Sequence, residues 1–362
     1  MSVRWLIAAA LSIACASEPL ADDAAPTGAA GASGVADGGA EAGEAGEAGE
    51  AGEAGEAGDG PSAAGGAAGE AGAAVAGAGG ARAEAGAGGT PSSCPATGEA
   101  IVVGTLGSAA LVEASGLAAS RGLSGLLYSH NDSGSSSLGY ALRQDGSLVA
   151  TLELVGALTQ DWEDVAVGPG PESAVSYIYF ADIGDNDVSR NGIVVHRSPE
   201  PDLDVDVSDQ NVELEFDSLY FEYPDDAHDA ETLFVDPDSA DLYIVTKSLD
   251  ASDVYVARAP HSTTEITTLE HVGELTLPRV SLATGGDMAA DGSLIVIRTY
   301  DAVFGWPRSA GESVQDVLAR EPCELTSPLE PQAEAIAIAP DASGYFTVGE
   351  GSGASLFRVD FE

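Results

Sequence analysis

Three glutamates, Glu163, Glu231 and Glu334, each open a short apolar run of one shape: Glu163-Asp-Val-Ala-Val167, Glu231-Thr-Leu-Phe-Val235 and Glu334-Ala-Ile-Ala-Ile338. Ser115 and Thr284 hold the same place in Ser115-Gly-Leu-Ala-Ala119 and Thr284-Gly-Gly-Asp-Met288. Between 14 and 23 residues after each comes a second polar position: Asn131 with Asp132, Asp182 with Asp185 and Asn186, Lys247, Arg298, and Glu350. Lys247 is the chain's one lysine. Asn131-Asp132 and Asp182-Ile-Gly-Asp185-Asn186 are oxygen-rich turns, and hard cations take six to eight oxygen ligands. Calcium is expected rather than zinc, because no cysteine stands among these residues and His130 and His228 lack a local zinc spacing. Asp182, Asp185 and Asn186 are therefore the expected metal ligands. Asn131, Asp132, Glu163, Glu231, Lys247, Arg298, Glu334 and Glu350 are the expected ligand-binding set.

Two chemistries fit this set. A bound metal with Lys247 and Arg298 would polarise a phosphoryl or carboxyl group while a glutamate acted as general base, giving hydrolysis of esters, lactones or phosphoesters. The other is ligand or partner binding without turnover, and no catalytic residue is assigned. The residues also have a purely structural reading, since Asp, Asn and Gly turn the chain at any solvated strand end. Asp202-Leu-Asp-Val-Asp206 lacks the central glycine and distal glutamate of a calcium loop and reads as a solvated connector. A Gly-x-Ser-x-Gly elbow, a His-Glu-x-x-His pair and a Walker loop are all absent, which argues against α/β serine esterases, zincins and nucleotide enzymes.

The elements that must position these residues are strands. From Cys94 to Glu362, short Val, Ile, Leu, Tyr and Phe runs alternate with Gly, Asp, Asn, Pro and Ser, the pattern of an all-β domain. Each of the five runs is followed by a second strand (Leu126–Ser129, Tyr177–Phe180, Leu242–Val245, Leu294–Ile297, Tyr345–Val348) and then a third. The runs start 48, 68, 53 and 50 residues apart, close to the period of a four-stranded propeller blade. Five blades are predicted, with six as the alternative if one hides in the 68-residue interval. Fourth strands are read at Leu148–Leu154 and Val212–Tyr220, while the last unit lacks one. Ile101–Leu106 would supply it and close the ring, removing the exposed sheet edges. In such a ring the first strand of each blade lines the channel and the second returns, so both polar sets converge at one mouth.

Asp161-Trp-Glu-Asp-Val-Ala-Val-Gly-Pro169, Asp229-Ala-Glu-Thr-Leu-Phe-Val-Asp-Pro237 and Gln332-Ala-Glu-Ala-Ile-Ala-Ile-Ala-Pro340 resemble bacterial exported β-propellers of the phytase-like, lactonase-like and NHL-like kind. The resemblance covers roughly residues 100 to 362 and is specific for architecture, not activity. Relatives of this kind usually have six blades, and the calcium-dependent hydrolases among them imply the metal chemistry above.

The N-terminal quarter reads differently. Arg4 followed by the apolar run Trp5–Ala14 is a signal peptide, too short to span a bilayer. Leu11-Ser-Ile-Ala-Cys15 resembles a lipoprotein signal with Cys15 as the lipidated residue, while Ala14-Cys-Ala16 also fits ordinary cleavage. Residues 17–93 are an Ala/Gly/Glu spacer with six consecutive Glu-Ala-Gly triplets, too polar to bury a core and expected to be disordered. The expected domains are thus a signal at 1–16, a spacer at 17–93 and a propeller at 94–362. An exported outer-membrane or cell-surface lipoprotein is expected, with secreted or periplasmic protein as the alternative. Export permits a disulfide between Cys94 and Cys323, closing a loop worth about 4 to 5 kcal/mol in chain-entropy terms; two unrelated thiols are the other reading.

The chain holds 59 acidic and 13 basic side chains, a net charge of -46. Residues 1–93 account for 13 acidic and 2 basic groups, so the acidity belongs mostly to the folded part. Such a field repels phosphate backbones and anionic lipid, which argues against nucleic acid as a partner and against any membrane contact other than a lipid anchor. A monomer that binds a small-molecule or protein ligand is expected.

Overall fold

The computed structural model describes residues 93–132, 134, 136–278 and 282–362. The predicted signal, Cys15 and the spacer up to residue 92 lie outside the described residues. A short strand β1 (Ile101–Thr105) leads into five sheets. Blade 1 comprises β2 (Ala114–Ala119), β3 (Leu126–Asn131), β4 (Leu138–Arg143) and β5 (Leu148–Glu153). Blade 2 starts with β6 (Trp162–Pro169), β7 (Ser176–Asp182) and β8 (Ile193–Pro199). The chain then leaves to lay β9 (Gln210–Glu213) parallel to β5 of blade 1, and returns as β10 (Asp217–Glu222) to finish blade 2.

Blade 3 repeats this detour. After β11 (Ala230–Val235), β12 (Leu242–Thr246) and β13 (Ser252–Ala257), the two-residue β14 (Thr267–Thr268) pairs parallel with β10 before β15 (Glu270–Leu275) completes the sheet. Blade 4 contains β16 (Ala283–Met288), β17 (Leu294–Thr299), β18 (Val303–Pro307) and, after helix α1 (Val314–Leu318), β19 (Cys323–Leu325). The helix is capped by the Ser313 side chain, which accepts from Asp316 N, and it buries Val314, Val317 and Leu318. Blade 5 is β20 (Ala333–Ile338), β21 (Gly344–Gly349) and β22 (Ser355–Asp360), with β1 antiparallel on β22 from Ile101 opposite Arg358 to Thr105 opposite Ser355. The ring therefore has five blades and closes with an N-terminal strand.

The 68-residue interval contains no sixth blade. The fourth strand read at Val212–Tyr220 is two strands, because Leu214 and Phe216 turn into the core between blades 1 and 2 and break the run. Arg143 fixes the detour: its guanidinium donates to Val205 O (2.8 Å), Val207 O (3.3 Å) and Ser208 Oγ (3.3 Å). Every blade has such an arginine in the last three residues of its third strand or just past it. Arg197 pairs with Asp217, Arg258 with Asp241 and Glu270, Arg308 with Asp236, and Arg358 with Asp360. These five cations hold outer connections and hairpins, which removes them from ligand chemistry.

Five apolar cores lie between successive sheets, one per blade interface. Each blade is covered on both faces, so its two innermost strands are buried almost throughout, as in β2, β3, β11, β12, β17 and β21. The inner strands approach closely at the axis. A Cβ on Gly116 of β2 would sit 2.5 Å from Val165 N of β6. Polar spokes cross between inner strands. Ser115 Oγ donates to Glu163 O (2.6 Å), and Asp164 accepts from Leu233 N (2.9 Å) and Gly286 N (3.2 Å) of blades 3 and 4. Asp287 accepts from Ile338 N of blade 5 (2.8 Å). Cys94 and Cys323 are disulfide-bonded, with Cα atoms 5.7 Å apart, joining the segment before β1 to β19 of blade 4.

Candidate functional site at the upper channel mouth

On the face where inner strands begin, the first inner-strand residue of each blade pairs with the last residue of the second strand. The pairs are Ala114 with Asn131, Trp162 with Asp182, Ala230 with Thr246, Ala283 with Thr299, and Ala333 with Gly349. In all five blades the register then slips, so that Ser115, Glu163, Glu231, Thr284 and Glu334 sit in a β-bulge. A bulge bends its strand and re-aims a side chain. Ser115 and Thr284 direct their hydroxyls to backbone carbonyls of the neighbouring inner strands. The three glutamates are left for the mouth, all three nearly buried.

Asp132, Asp161 and Glu163 bring carboxylate oxygens within 4.8 Å of one another, the one group among the described residues with the spacing of a metal site. Burial and the charges of Asp132 and Asp229 push Asp161 up to about 6. Burial, with Glu231, Asp132 and Asp161 close by, holds Glu163 well above the usual carboxylate range. Carboxyls crowded this way retain protons until a cation replaces them.

The predicted metal ligands are employed otherwise. Asp182 accepts from Gln160 N (2.9 Å) and Asp161 N (3.1 Å) and pairs with Arg190 at 2.8 Å. Asp185 accepts from Ser189 N and Arg190 N, both at 2.7 Å. Asn186 reaches the cluster only through a 3.5 Å bond to Asp161. The turn contributes space instead of oxygens: a Cβ on Gly184 would lie 2.1 Å from Glu163 Oε1 and 2.6 Å from Asp161 Oδ2. Gly184→Ala must therefore part these two carboxylates. Any divalent-cation affinity of this cluster, measured by calorimetry, is expected to fall about tenfold or more with the far-UV spectrum unchanged; an affinity unaltered by the substitution would place cation binding elsewhere.

Across the mouth, Lys247 pairs with Glu231 and lies over the Tyr300 ring, 5.3 Å from its centroid. Burial alone would lower the lysine, but Glu231 and Tyr300 outweigh it and keep the ammonium charged. Tyr300 OH donates to Glu334 (3.4 Å). Burial and Glu350 push Glu334 up to about 9, and Gln332 holds Glu350 through a 2.6 Å bond. The structure thus brings Asp132, Glu163, Glu231, Lys247, Glu334 and Glu350 together. Arg298 and Asn131 belong to the walls. Arg298 is fully buried, paired with Glu330 and donating to Ala335 O (3.0 Å). Asn131 closes the loop before β2, accepting from Val112 N (2.9 Å) and Glu113 N (3.0 Å) and donating to Ala110 O (2.7 Å).

Asp161, Asp229, Tyr300 and Glu330 are mouth or wall residues absent from the predicted set. A signal for the first two was present: Asp161-x-Glu163, Asp229-x-Glu231 and Gln332-x-Glu334 place a polar residue two before each bulge glutamate.

No protein-family model matches the sequence, and no curated protein matches it. Among solved structures, the chain is similar to a luciferin-regenerating enzyme, with 12% identity, a TM-score of 0.37, and coverage of 70% of this chain and 92% of that one.

Proposed function

We propose that this chain is an exported, lipid-anchored binding propeller whose upper mouth takes a hard divalent cation, calcium by preference, together with a ligand. The observation that carries this reading is the convergence of Asp132, Asp161 and Glu163 on one point at the mouth. Oxygen-only donors suit calcium, whose coordination tolerates irregular geometry. Binding is favoured over hydrolysis by the state of the nearby cations. Lys247, Arg298 and Arg190 are each committed to a carboxylate, which leaves none of the three to hold a phosphoryl or carboxyl group.

Calcium titrated into the full-length chain is expected to give one saturable heat and to raise the unfolding temperature, as ligation to the native state requires. Asp161→Asn and Glu163→Gln are each expected to abolish both. A flat titration with an unshifted melt would reject the cation site. A panel of lactones, aryl esters and phosphomonoesters decides the second reading: turnover lost on Glu231→Gln or Lys247→Ala, with folding intact, would replace binding by hydrolysis.

A further inference from the structure

The upper face has a second property besides its acidity. Val112, Val155, Leu158, Val188, Leu249 and Leu329 are exposed, from 36% for Val112 to 82% for Leu158 and 99% for Leu329. All six lie on connections at the mouth end: before β2, between β5 and β6, between β7 and β8, between β12 and β13, and before β20. Each is within a few residues of a mouth residue, as Leu158 is to Asp161, Leu249 to Lys247 and Leu329 to Glu334. Blade 4 contributes Tyr300 from the equivalent β17–β18 turn. The five inner hairpins on the opposite face expose no large aliphatic side chain among the described residues. Ile101, Val102, Val207 and Ile266 are exposed too, on β1 and on the connections after the third strands of blades 2 and 3, not at the mouth. Single exposed aliphatics need no explanation, but a set ringing one mouth marks an interaction surface.

The geometry points to a docking site for an extended peptide segment in which a lysine or arginine is flanked by aliphatic residues. The basic side chain enters the acidic mouth, and its neighbours lie on the apolar collar. This inference rests on the cation-binding reading and names the partner class for that same mouth. Charge selects the occupant. Asp132, Asp161 and Glu163 on one side and Glu231, Glu334 and Glu350 on the other face the channel, with Lys247 neutralising one of them. A neutral apolar segment would desolvate these carboxyls without replacing their partners, and an acidic segment or anionic headgroup would be repelled. An ammonium or guanidinium brings donors and charge, while the collar supplies the apolar area that a free metal ion cannot use.

An array of immobilised peptides with Lys, Arg, norleucine or Glu at the centre, and Leu or Ser on both sides, tests this with the full-length chain. Leu-Lys-Leu and Leu-Arg-Leu peptides are expected to retain about tenfold more protein than norleucine- or Glu-centred ones and than Ser-Lys-Ser. Saturating calcium should displace the protein from them. The double variant Leu158→Ser, Leu329→Ser should lose the preference for Leu flanks while keeping the calcium-induced thermal shift. Equal retention on norleucine-centred peptides, or sedimentation with phosphatidylcholine vesicles without peptide selectivity, would overturn the proposal. Calcium binding with no peptide retained removes the docking site and leaves the cation site standing. Peptide selectivity without a calcium effect does the reverse.

Discussion

Asp164→Ala is expected to lower the stability of the ring by about 2 to 6 kcal/mol, read as a shifted urea midpoint at constant slope. Asp164 is fully buried on β6 and accepts backbone N–H groups from β11 and β16, so one side chain ties three blades at the axis. Removing it leaves the two interblade N–H groups buried without acceptors, at roughly 1 to 3 kcal/mol each, and also frees Val165 N on its own strand, whose hydrogen bond it accepts at 2.8 Å. Burial pushes this carboxyl well above its ordinary range, against the pull of those N–H donors. An acceptor oxygen remains in either protonation state, and Asp164→Asn, which keeps one, should lose about half as much. A loss below about 1 kcal/mol for the alanine variant would show that the interblade cores alone hold the ring. Glu163→Gln, one residue away but at the mouth, should leave stability in the absence of calcium nearly unchanged, which separates the spoke from the site.

The second large effect is a fall in stability as pH rises from about 6.5 to 9, which calcium at the proposed cation site would reduce. Glu334, at about 9, and Glu163, also raised, hold protons in the folded state that the unfolded chain releases near pH 4. Between those limits the native state binds more protons, so stability declines with rising pH and is fully present only below the unfolded values. The buried histidines act in the opposite sense but in a lower window. His130, lowered to about 4 by burial, and His196 and His261, also lowered by burial, reduce stability only below about pH 6.5. On the proposed reading calcium would bind the ionised cluster, so its thermal shift should be small at pH 6 and grow towards pH 8 as Asp161 and Glu163 lose their protons. A melting temperature independent of pH across this window would mean that the mouth carboxyls are ionised throughout.

Blade number, ring closure and the three bulge glutamates were legible because a propeller repeats its sequence as it repeats its structure. Residues defined by long-range neighbours were not. Arg298 reads as a mouth cation by its place after the second strand, yet the same register faces it into the blade 4–5 wall against Glu330. Asp182 and Asp185 have the composition of a metal turn, but backbone N–H groups and Arg190 claim their oxygens first. Asp164 sits inside an otherwise apolar run, where only its partners 69 and 122 residues away reveal its role. The detour to β9 escaped notice for a related reason: nothing local distinguishes a strand that joins its own blade from one that joins the blade before it.

The Cys94–Cys323 bond has a mechanical consequence. A pull applied to the chain on the N-terminal side of Cys94 would otherwise load β1 at Ile101 and peel it from β22 one hydrogen bond at a time. The bond diverts that load into Cys323 on blade 4, whose strand is already held between β18 and the helix connection. The closing strand then carries no tension, and the ring behaves under traction as if it had no loose end.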